Sequence, residues 1–440
     1  MCMACGVASH VALDELPATA ATPPGSPERF AALRQQDCRR YLVGCMLSMM
    51  ADNIEHVITY WVLWETFHSP ALTGFEVISH WLPFLLFSVW FGGLADRYDC
   101  RRVIQAAQLL FMAVSVAWGV LFLIGGLRIW LACVLLVLHG MAGALWGPAE
   151  QLMLHDFVGP RVLPSAIRLN ATARNFGLLF GPVVGSALLL GLGPTTGIFV
   201  NVAVYLPLTL FLLTTTYTGH ARDERPVGRV RLGLRDAVHT IAEVRGSPTM
   251  VSMIALAGLS AMFGAASLQS TMPAFAHDVG ASAGAAYGVL LFATGLGGVV
   301  GGVLLEFTGR LRLTVGTATW TTFALGSCLL VFAVTRVYLV AIVALFVAGI
   351  MTLASMSIGQ TLVQLFAPPD KRGRVVGVYG MSANGLRVGS GLGVGVLGAG
   401  VGVHWSLGVS AVCLCVGAFA IAAYLHRSGA SRSVELGVPK

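Results

Sequence analysis

The sequence predicts an all-α membrane protein with twelve transmembrane helices, arranged as two pseudo-symmetric six-helix halves with both termini in the cytoplasm. Of its 440 residues, 56% are hydrophobic and only 11% are charged, whereas soluble domains carry about 25% charged residues. A helix needs about 20 mostly apolar residues to cross a bilayer, and such stretches follow one another from residue 41 to residue 425. The arginines between these stretches fix their orientation.

The apolar stretches fall into two groups of six. The break between the groups, 218–248, carries six arginines and one amphipathic stretch, which is typical of a cytoplasmic linker with an interfacial helix. The predicted organisation is a disordered cytoplasmic tail (1–38), a six-helix bundle (39–217), the linker (218–248), a second bundle (249–425) and a second cytoplasmic tail (426–440). The predicted spans are 41–64, 71–94, 103–126, 129–151, 166–190, 196–217, 249–272, 284–306, 313–335, 337–363, 375–399 and 404–425.

This arrangement places most basic residues inside the cell, with Arg128 and Arg336 outside. Arginine near the end of a span resists translocation, so the asymmetry supports both the even number of spans and their orientation. The placement of the basic residues, which give a formal charge of +7, therefore orients the chain in the lipid bilayer and does not predict nucleic-acid binding. We expect a monomer in a bacterial inner membrane.

Span one carries an unusual set of ionisable residues. Asp52, Glu55 and His56 share one helical face, and a charge at the membrane centre costs at least about 2.5–3.5 kcal/mol. We hypothesise that Asp52 or Glu55 takes up and releases a proton, with Arg174 of span five nearby. The alternative is a static ion pair between spans one and five, with structural histidines. The candidate set for proton coupling is Asp52, Glu55, His56, Glu76, His80 and Arg174.

Further polar residues inside the spans are candidates for a substrate path. Each could instead only bond a neighbouring helix, a contact worth about 0.6 kcal/mol on average in membranes. These residues are Asn170, Asn201, Tyr205, Gln269, Gln360, Asn384 and Arg387.

A glycine-rich turn recurs in the two halves. Gly92 to Arg102 follows span two, and Gly301 to Arg310 follows span eight. Transporters built from two six-helix halves bind substrate between the halves near the bilayer midplane and rock one half against the other. The repeat favours alternating access by a carrier of small molecules.

The first turn, Gly92-x-Leu94-Ala95-Asp96-Arg97-x-x-x-Arg101, resembles the loop motif of the major facilitator superfamily, and with twelve spans the resemblance covers residues 39–425. It implies that the acid and its basic neighbours pair with an adjacent helix end, as a latch that favours the outward-facing state. The candidate latch residues are Gly92, Asp96, Arg97, Arg101, Arg102 and Glu150.

The turn departs from that motif at Asp99 and Cys100, where the family usually has Gly and Arg. An Asp at position 99 resembles the form of the motif in the exporter branch that includes enterobactin exporters and macrolide-efflux proteins. Glu306 lies in the second turn and, with Glu150, is a candidate for the same gate.

Span five carries a second motif, Gly177-x-x-x-Gly181-Pro182-x-x-Gly185. It resembles the antiporter motif of the same superfamily and implies efflux. Glycines four residues apart let helices approach closely, and Pro182 kinks the helix, so we expect a tight seal between the halves. The alternative is ordinary helix packing.

The leading hypothesis is therefore a secondary transporter that exports an amphiphilic small molecule, drug-like or siderophore-like, in exchange for protons. A proton-coupled importer or a uniporter of the same fold is the first alternative. A membrane-embedded enzyme or sensor is a remote one, because the sequence has no H-E-x-x-H, G-x-S-x-G or phosphate-binding loop.

We expect no enzyme activity and no cofactor, with a proton gradient as the energy source. Cys2 and Cys5 form a C-x-x-C, but metal sites of this type need further ligands at fixed spacing. We therefore expect no metal site.

Overall fold

The computed structural model describes residues 29–67, 70–220, 240–265, 283–308, 313–390 and 402–427. These ranges contain helices and short turns and no β-strand. The helices are α1 (Gln36–Phe67), α2 (Pro70–Arg97), α3 (Cys100–Ile124), α4 (Ile129–Thr214), α5 (Pro248–Ser260), α6 (Ala283–Thr308), α7 (Val315–Val334), α8 (Tyr338–Phe366), α9 (Arg372–Gly380) and α10 (Val403–Arg427). One π-helical turn extends α5 (Ala261–Ala265) and another extends α9 (Met381–Gly385).

The long α4 run is three helices joined by two tight corners. The backbone leaves the helical region at Gly159 (φ 71°) and Gly193 (φ 78°), a positive φ that glycine adopts at little cost. Pro160 and Pro194 follow directly, and proline suits the first position of a helix because its φ is already helical. We call the three segments α4a (129–158), α4b (160–192) and α4c (194–214); they lie where spans four, five and six were predicted.

Seven helices among the described residues are long and apolar enough to cross a membrane, with the α4 run counted as one. Helix α1 is not in this set, although it has 32 residues, because its middle carries Asp52, Asn53, Glu55 and His56. Helices α5 and α9 are short, and the last parts of the corresponding predicted spans, 266–272 and 391–399, lie outside the described residues. The count of twelve spans stays a prediction.

The last part of the predicted disordered tail is ordered. Ala31–Arg34 form a 3-10 helix, and α1 begins at Gln36. The segment is held because Ala32 is fully buried in the core of the first half, and its backbone N–H donates to the Ser165 hydroxyl at 3.2 Å. Residues 1–28, most of the predicted linker (221–239) and the final tail (428–440) lie outside the described residues.

The two halves meet chiefly where α2 packs on α9 and α4b packs on α6, with further contacts from the α4 run to α8 and α9. Glycine allows the close approach at both. A Cβ added at Gly92 would overlap the carbonyl oxygen of Gly373, and one added at Gly302 would overlap the Thr172 hydroxyl. The end of the bundle where these contacts lie is called the latch end below.

Replacing Gly92 with alanine is expected to separate α2 from α9, because the new methyl group has no room beside Gly373. Overpacking of this kind typically costs about 1–3 kcal/mol. The expected result is a lower midpoint of thermal unfolding for the detergent-solubilised protein. Gly408→Ala in α10 is the matched control, since a Cβ there meets no atom within 4 Å. Equal losses in the two variants would contradict the close contact.

Candidate functional site

Asp96, near the end of α2, joins the two halves at the latch end. Its buried carboxylate accepts hydrogen bonds from the backbone N–H groups of Gly373 and Arg374, the latter at 3.0 Å. These donors belong to the first turn of α9, where backbone N–H groups have no partner within the helix and the helix dipole favours a negative charge. The Arg374 Nε atom lies 3.7 Å from the same carboxylate.

The other predicted latch residues do not pair with Asp96. Arg101 binds the Asp99 carboxylate (2.6 Å) and the Thr215 carbonyl (2.6 Å), and Asp99 also caps α3 through the backbone N–H of Arg101. The departure from the motif at Asp99 thus gives Arg101 a carboxylate in its own turn, and its contact with Thr215 reaches the end of α4c; the latch role of Arg101 stays a prediction. Arg102 donates to Gln105, and the Arg97 guanidinium lies over the Tyr98 ring.

Glu306, near the end of α6, makes the corresponding contact in the second half. It is buried, and it accepts hydrogen bonds from the Ser165 hydroxyl and from Arg168 Nε at 2.7 Å, both near the start of α4b. Each half thus places a carboxylate from the end of its second helix at the start of a helix in the other half. Gln364 and Gln151 add a buried hydrogen bond of 2.8 Å between the halves.

Arg174 is paired with Glu150 of α4a, not with Asp52 or Glu55. Its Nη1 donates to Glu150 at 2.6 Å, and Asn170 donates to the other oxygen of the same carboxylate at 2.8 Å. The ion pair of Arg174 in the described structure therefore joins spans four and five, whereas the static alternative placed one between spans one and five. The guanidinium of Arg174 also lies 5.0 Å from the ring centroid of Trp146.

A histidine that sequence reasoning missed, His139 of α4a, lies between the two carboxylates of α1. Its Nε2 is 2.8 Å from Asp52 and its Nδ1 is 2.9 Å from Glu55. Glu55 also accepts a hydrogen bond from the Ser115 hydroxyl of α3. All four side chains are almost fully buried. The available signal was a single histidine in the middle of an otherwise apolar span.

The protonation of His139 determines how many of these hydrogen bonds can form. Both ring nitrogens face carboxylate oxygens, and only the imidazolium form has a donor at each nitrogen. The neutral ring can donate to one carboxylate at a time. An added or removed proton therefore changes the bonding between α1 and α4a.

His56 and His80 extend this group on one side. His56 Nδ1 lies 3.8 Å from Asp52, and the rings of His56 and His80 are 4.9 Å apart. Ligand atoms of Asp52, His56, His80 and His139 all lie within 4.8 Å of one another. Imidazole and carboxylate ligands suit several divalent metals, so these four residues could hold an ion. The expectation of no metal site stays a prediction.

The remaining candidates differ in their surroundings. Asn201 and Tyr205 are fully buried, and Tyr205 stacks on Phe111 at 5.3 Å; their place on a substrate path stays a prediction. Glu76 is buried in α2, while Gln360 and Asn384 are half-buried. Gln269 lies outside the described residues. Arg387 lies 4.4 Å from the ring centroid of Trp81.

The glycines of the antiporter-like motif pack within the first half. A Cβ at Gly177 would lie 2.8 Å from the Met50 nitrogen, and one at Gly181 or Gly185 would also meet α1 within 3.1 Å. Pro182 faces outward. These glycines thus line the face of α4b that contacts α1, while Leu179 between them packs against Gly295 of α6 in the other half. The expected seal between the halves stays a prediction.

Residues 27–435 match a family model described as transmembrane secretion effector, of the major facilitator type. The chain is 24% identical over 170 residues to the staphyloferrin A transporter of Staphylococcus aureus, covering 37% of this chain and 43% of that protein. It is 24% identical over 192 residues to the uncharacterised MFS-type transporter YqjV of Bacillus subtilis, covering 43% and 44%. The matched regions span less than half of either relative.

Solved structures of transporters share the fold over most of the chain. The human organic anion transporter MFSD10 has a TM-score of 0.69 at 13% identity, covering 87% of this chain and 99% of that one. A bacterial homologue of the iron transporter ferroportin, in an outward-facing state, has a TM-score of 0.70 at 14% identity (88% and 99%). The E. coli fucose:proton symporter has a TM-score of 0.67 at 14% identity (90% and 99%).

Replacing His139 with alanine is expected to destabilise the protein strongly, because Asp52 and Glu55 lose the donor that they share. Removing one partner of a buried ionic group typically costs about 3–5 kcal/mol. Thermal unfolding in detergent measures the loss. His426→Ala, at the exposed end of α10, is the control and should stay within about 0.5 kcal/mol of the parent protein. A His139→Ala protein as stable as this control would contradict the bridging role.

Proposed function

Because the chain belongs to the transmembrane secretion effector family of the major facilitator superfamily, we propose that this multi-pass membrane transporter exports an amphiphilic small molecule in exchange for protons. The cargo is drug-like or siderophore-like, the membrane is the bacterial inner membrane, and the cycle is alternating access. The single observation that carries the proton exchange is His139 held between Asp52 and Glu55.

The arrangement of these three groups supports a coupling site. Two buried carboxylates and one imidazole between them form a set that can hold different numbers of protons. Unpaired charge inside a bilayer is costly, so a proton that leaves the set requires a compensating movement of α1 against α4a or access to water. A change of proton occupancy would in this way be tied to a change of conformation.

The contacts at the latch end support alternating access. Asp96 binds the start of α9, and Glu306 binds the start of α4b, so both must release for the halves to separate there. Elements that form or break such contacts as units give two discrete arrangements. We infer that the described structure represents the state in which the latch end is closed.

Export is supported by the family description and by the antiporter-like motif. The likeness to a staphyloferrin A transporter over part of the chain supports a siderophore-like cargo, as does the resemblance to enterobactin exporters. Import or uniport remains the competing hypothesis, because the same fold occurs in a fucose:proton symporter. Transport assays in membranes of known orientation separate the two.

The coupling site is tested with Asp52→Asn and Glu55→Gln in everted membrane vesicles that hold a pH gradient. Staphyloferrin A, erythromycin and ethidium are the probes, and collapse of the gradient on probe addition reports exchange with protons. Because each amide keeps the shape but loses the charge, we expect gradient-driven accumulation to fall at least about tenfold while gradient-free counterflow continues. Such a fall corresponds to about 1.4 kcal/mol or more of lost coupling.

The matched control is Glu65→Gln, which removes a carboxylate from the exposed far end of the same helix and should transport normally. Full proton-driven accumulation in both coupling variants would show that the site is elsewhere. If a chelator abolishes transport by the parent protein and added divalent metal restores it, the histidine and aspartate group serves a metal ion and the proton hypothesis is wrong.

A further inference from the structure

We propose that the substrate is a carboxylate-bearing anion bound between Arg174 and Arg387, one guanidinium from each half. The proposal rests on the function above only in assuming that the molecule carries a substrate between its halves. It names the chemical class of that substrate and favours an acidic metabolite over a cationic drug.

Arg387 has no counter-ion among the described residues. It follows the π-helical turn that extends α9, and its guanidinium lies over Trp81 of α2, 4.4 Å from the ring centroid. No carboxylate of the described residues lies within 4.0 Å of it, and its Nε is buried without a hydrogen-bond partner. Charged groups inside membrane proteins are almost always paired or mark a ligand pathway, so the missing partner points to an anionic ligand.

Arg174 is only partly neutralised. One nitrogen binds Glu150, whose second oxygen is already engaged by Asn170. The Arg174 side chain keeps 32% of its surface accessible, although its partners Glu150 and Trp146 are buried. Its remaining N–H groups make no hydrogen bond within the described part of the chain. They are available to an incoming acceptor.

Phe84 links the surroundings of the two guanidinium groups. Its ring centroid lies 5.8 Å from that of Trp81, and its ring packs against Gly143 and Gly147, which lie on either side of Trp146 in the chain. Two positive charges on neighbouring membrane helices raise the free energy of the empty site. An anion between them would remove that electrostatic cost. A second cation placed there would add to it, which disfavours a cationic amphiphile as the cargo.

The tryptophans make both arginines suited to carboxylates. Each guanidinium has an indole against one face, Trp146 for Arg174 and Trp81 for Arg387. An indole ring attracts the cation without supplying a carboxylate or carbonyl acceptor, so a ligand can still provide the acceptors for the N–H donors. The two parallel hydrogen bonds of a carboxylate match the edge of a guanidinium.

The position of the pair explains how such an anion would drive the cycle. Arg174 lies in α4b and Arg387 lies after α9, and these are the helices that the two latch carboxylates hold at their starts. A ligand that touches both arginines contacts both halves at once. It can therefore favour one arrangement of the halves over the other, which requires unequal affinity for the two states.

The test is direct binding to the purified protein in detergent without anionic lipid, measured by isothermal titration calorimetry. Citrate is the probe, and its trimethyl ester has the same skeleton without charge. We expect citrate to bind at least about tenfold more tightly than the ester, and we expect added salt to weaken the binding of citrate. Equal binding of the two molecules, or tighter binding of ethidium than of citrate, would overturn the proposal.

Arg387→Gln is expected to lower the affinity for citrate at least about tenfold, equivalent to about 1.4 kcal/mol. Arg387→Lys keeps the positive charge but cannot form two parallel hydrogen bonds with a carboxylate. Its affinity for citrate should fall less than that of Arg387→Gln. Arg336→Gln changes an exposed arginine of the loop before α8 and should bind citrate normally. Citrate affinity unchanged in Arg387→Gln would refute the site. If Arg387→Gln does not fold, the site is tested by the citrate affinity of Arg387→Lys and by the comparison of citrate with its ester on the parent protein.

The binding experiment tests the substrate class separately from proton exchange, because binding is measured without any pH gradient. If Arg387→Gln binds citrate normally while erythromycin still collapses a pH gradient, only the substrate class is wrong. If citrate binds at Arg387 but no probe moves protons, the substrate class stands and proton exchange is wrong.

Discussion

A bilayer offers no water to an ion that is buried among helices, and this constraint determines which side chains of the protein meet. An isolated charge at the membrane centre costs several kcal/mol, so each ionised side chain within the helices needs a partner on another helix. His139 pairs with Asp52 and Glu55, and Arg174 pairs with Glu150. Helix packing is thereby tied to charge pairing, and a change in either requires a change in the other.

The same constraint acts between the halves. Asp96 and Glu306 are each buried at the end of a helix, and each finds its donors across the interface. Glycines next to these contacts bring the helices close enough for the bonds to form. Short-range packing and electrostatics thus reinforce each other at the latch end.

Much of this organisation could be predicted from the sequence, because it depends on local pattern. Apolar windows located the helices, and the spacing of Asp52, Glu55 and His56 identified a polar face. The partners could not be predicted in the same way. Helical periodicity says which residues share a face, but His139 is 87 positions from Asp52 and Gly373 is 277 positions from Asp96. The glycine motif of α4b likewise indicated close packing without indicating that α1 was the neighbour.

The two latch carboxylates bind chemically different donors, and this affects how the interface can evolve. Asp96 is held chiefly by backbone N–H groups, which every residue except proline supplies. The side chain at position 374 adds an ion pair at 3.7 Å, but the backbone bond itself persists with any residue there except proline. Glu306 depends on the side chains of Ser165 and Arg168, and a change at either removes a donor. At Asp96 the interface depends on backbone donors and on glycines that leave room for them, whereas at Glu306 it depends on the side-chain donors of two particular residues, so different kinds of mutation disrupt the two contacts.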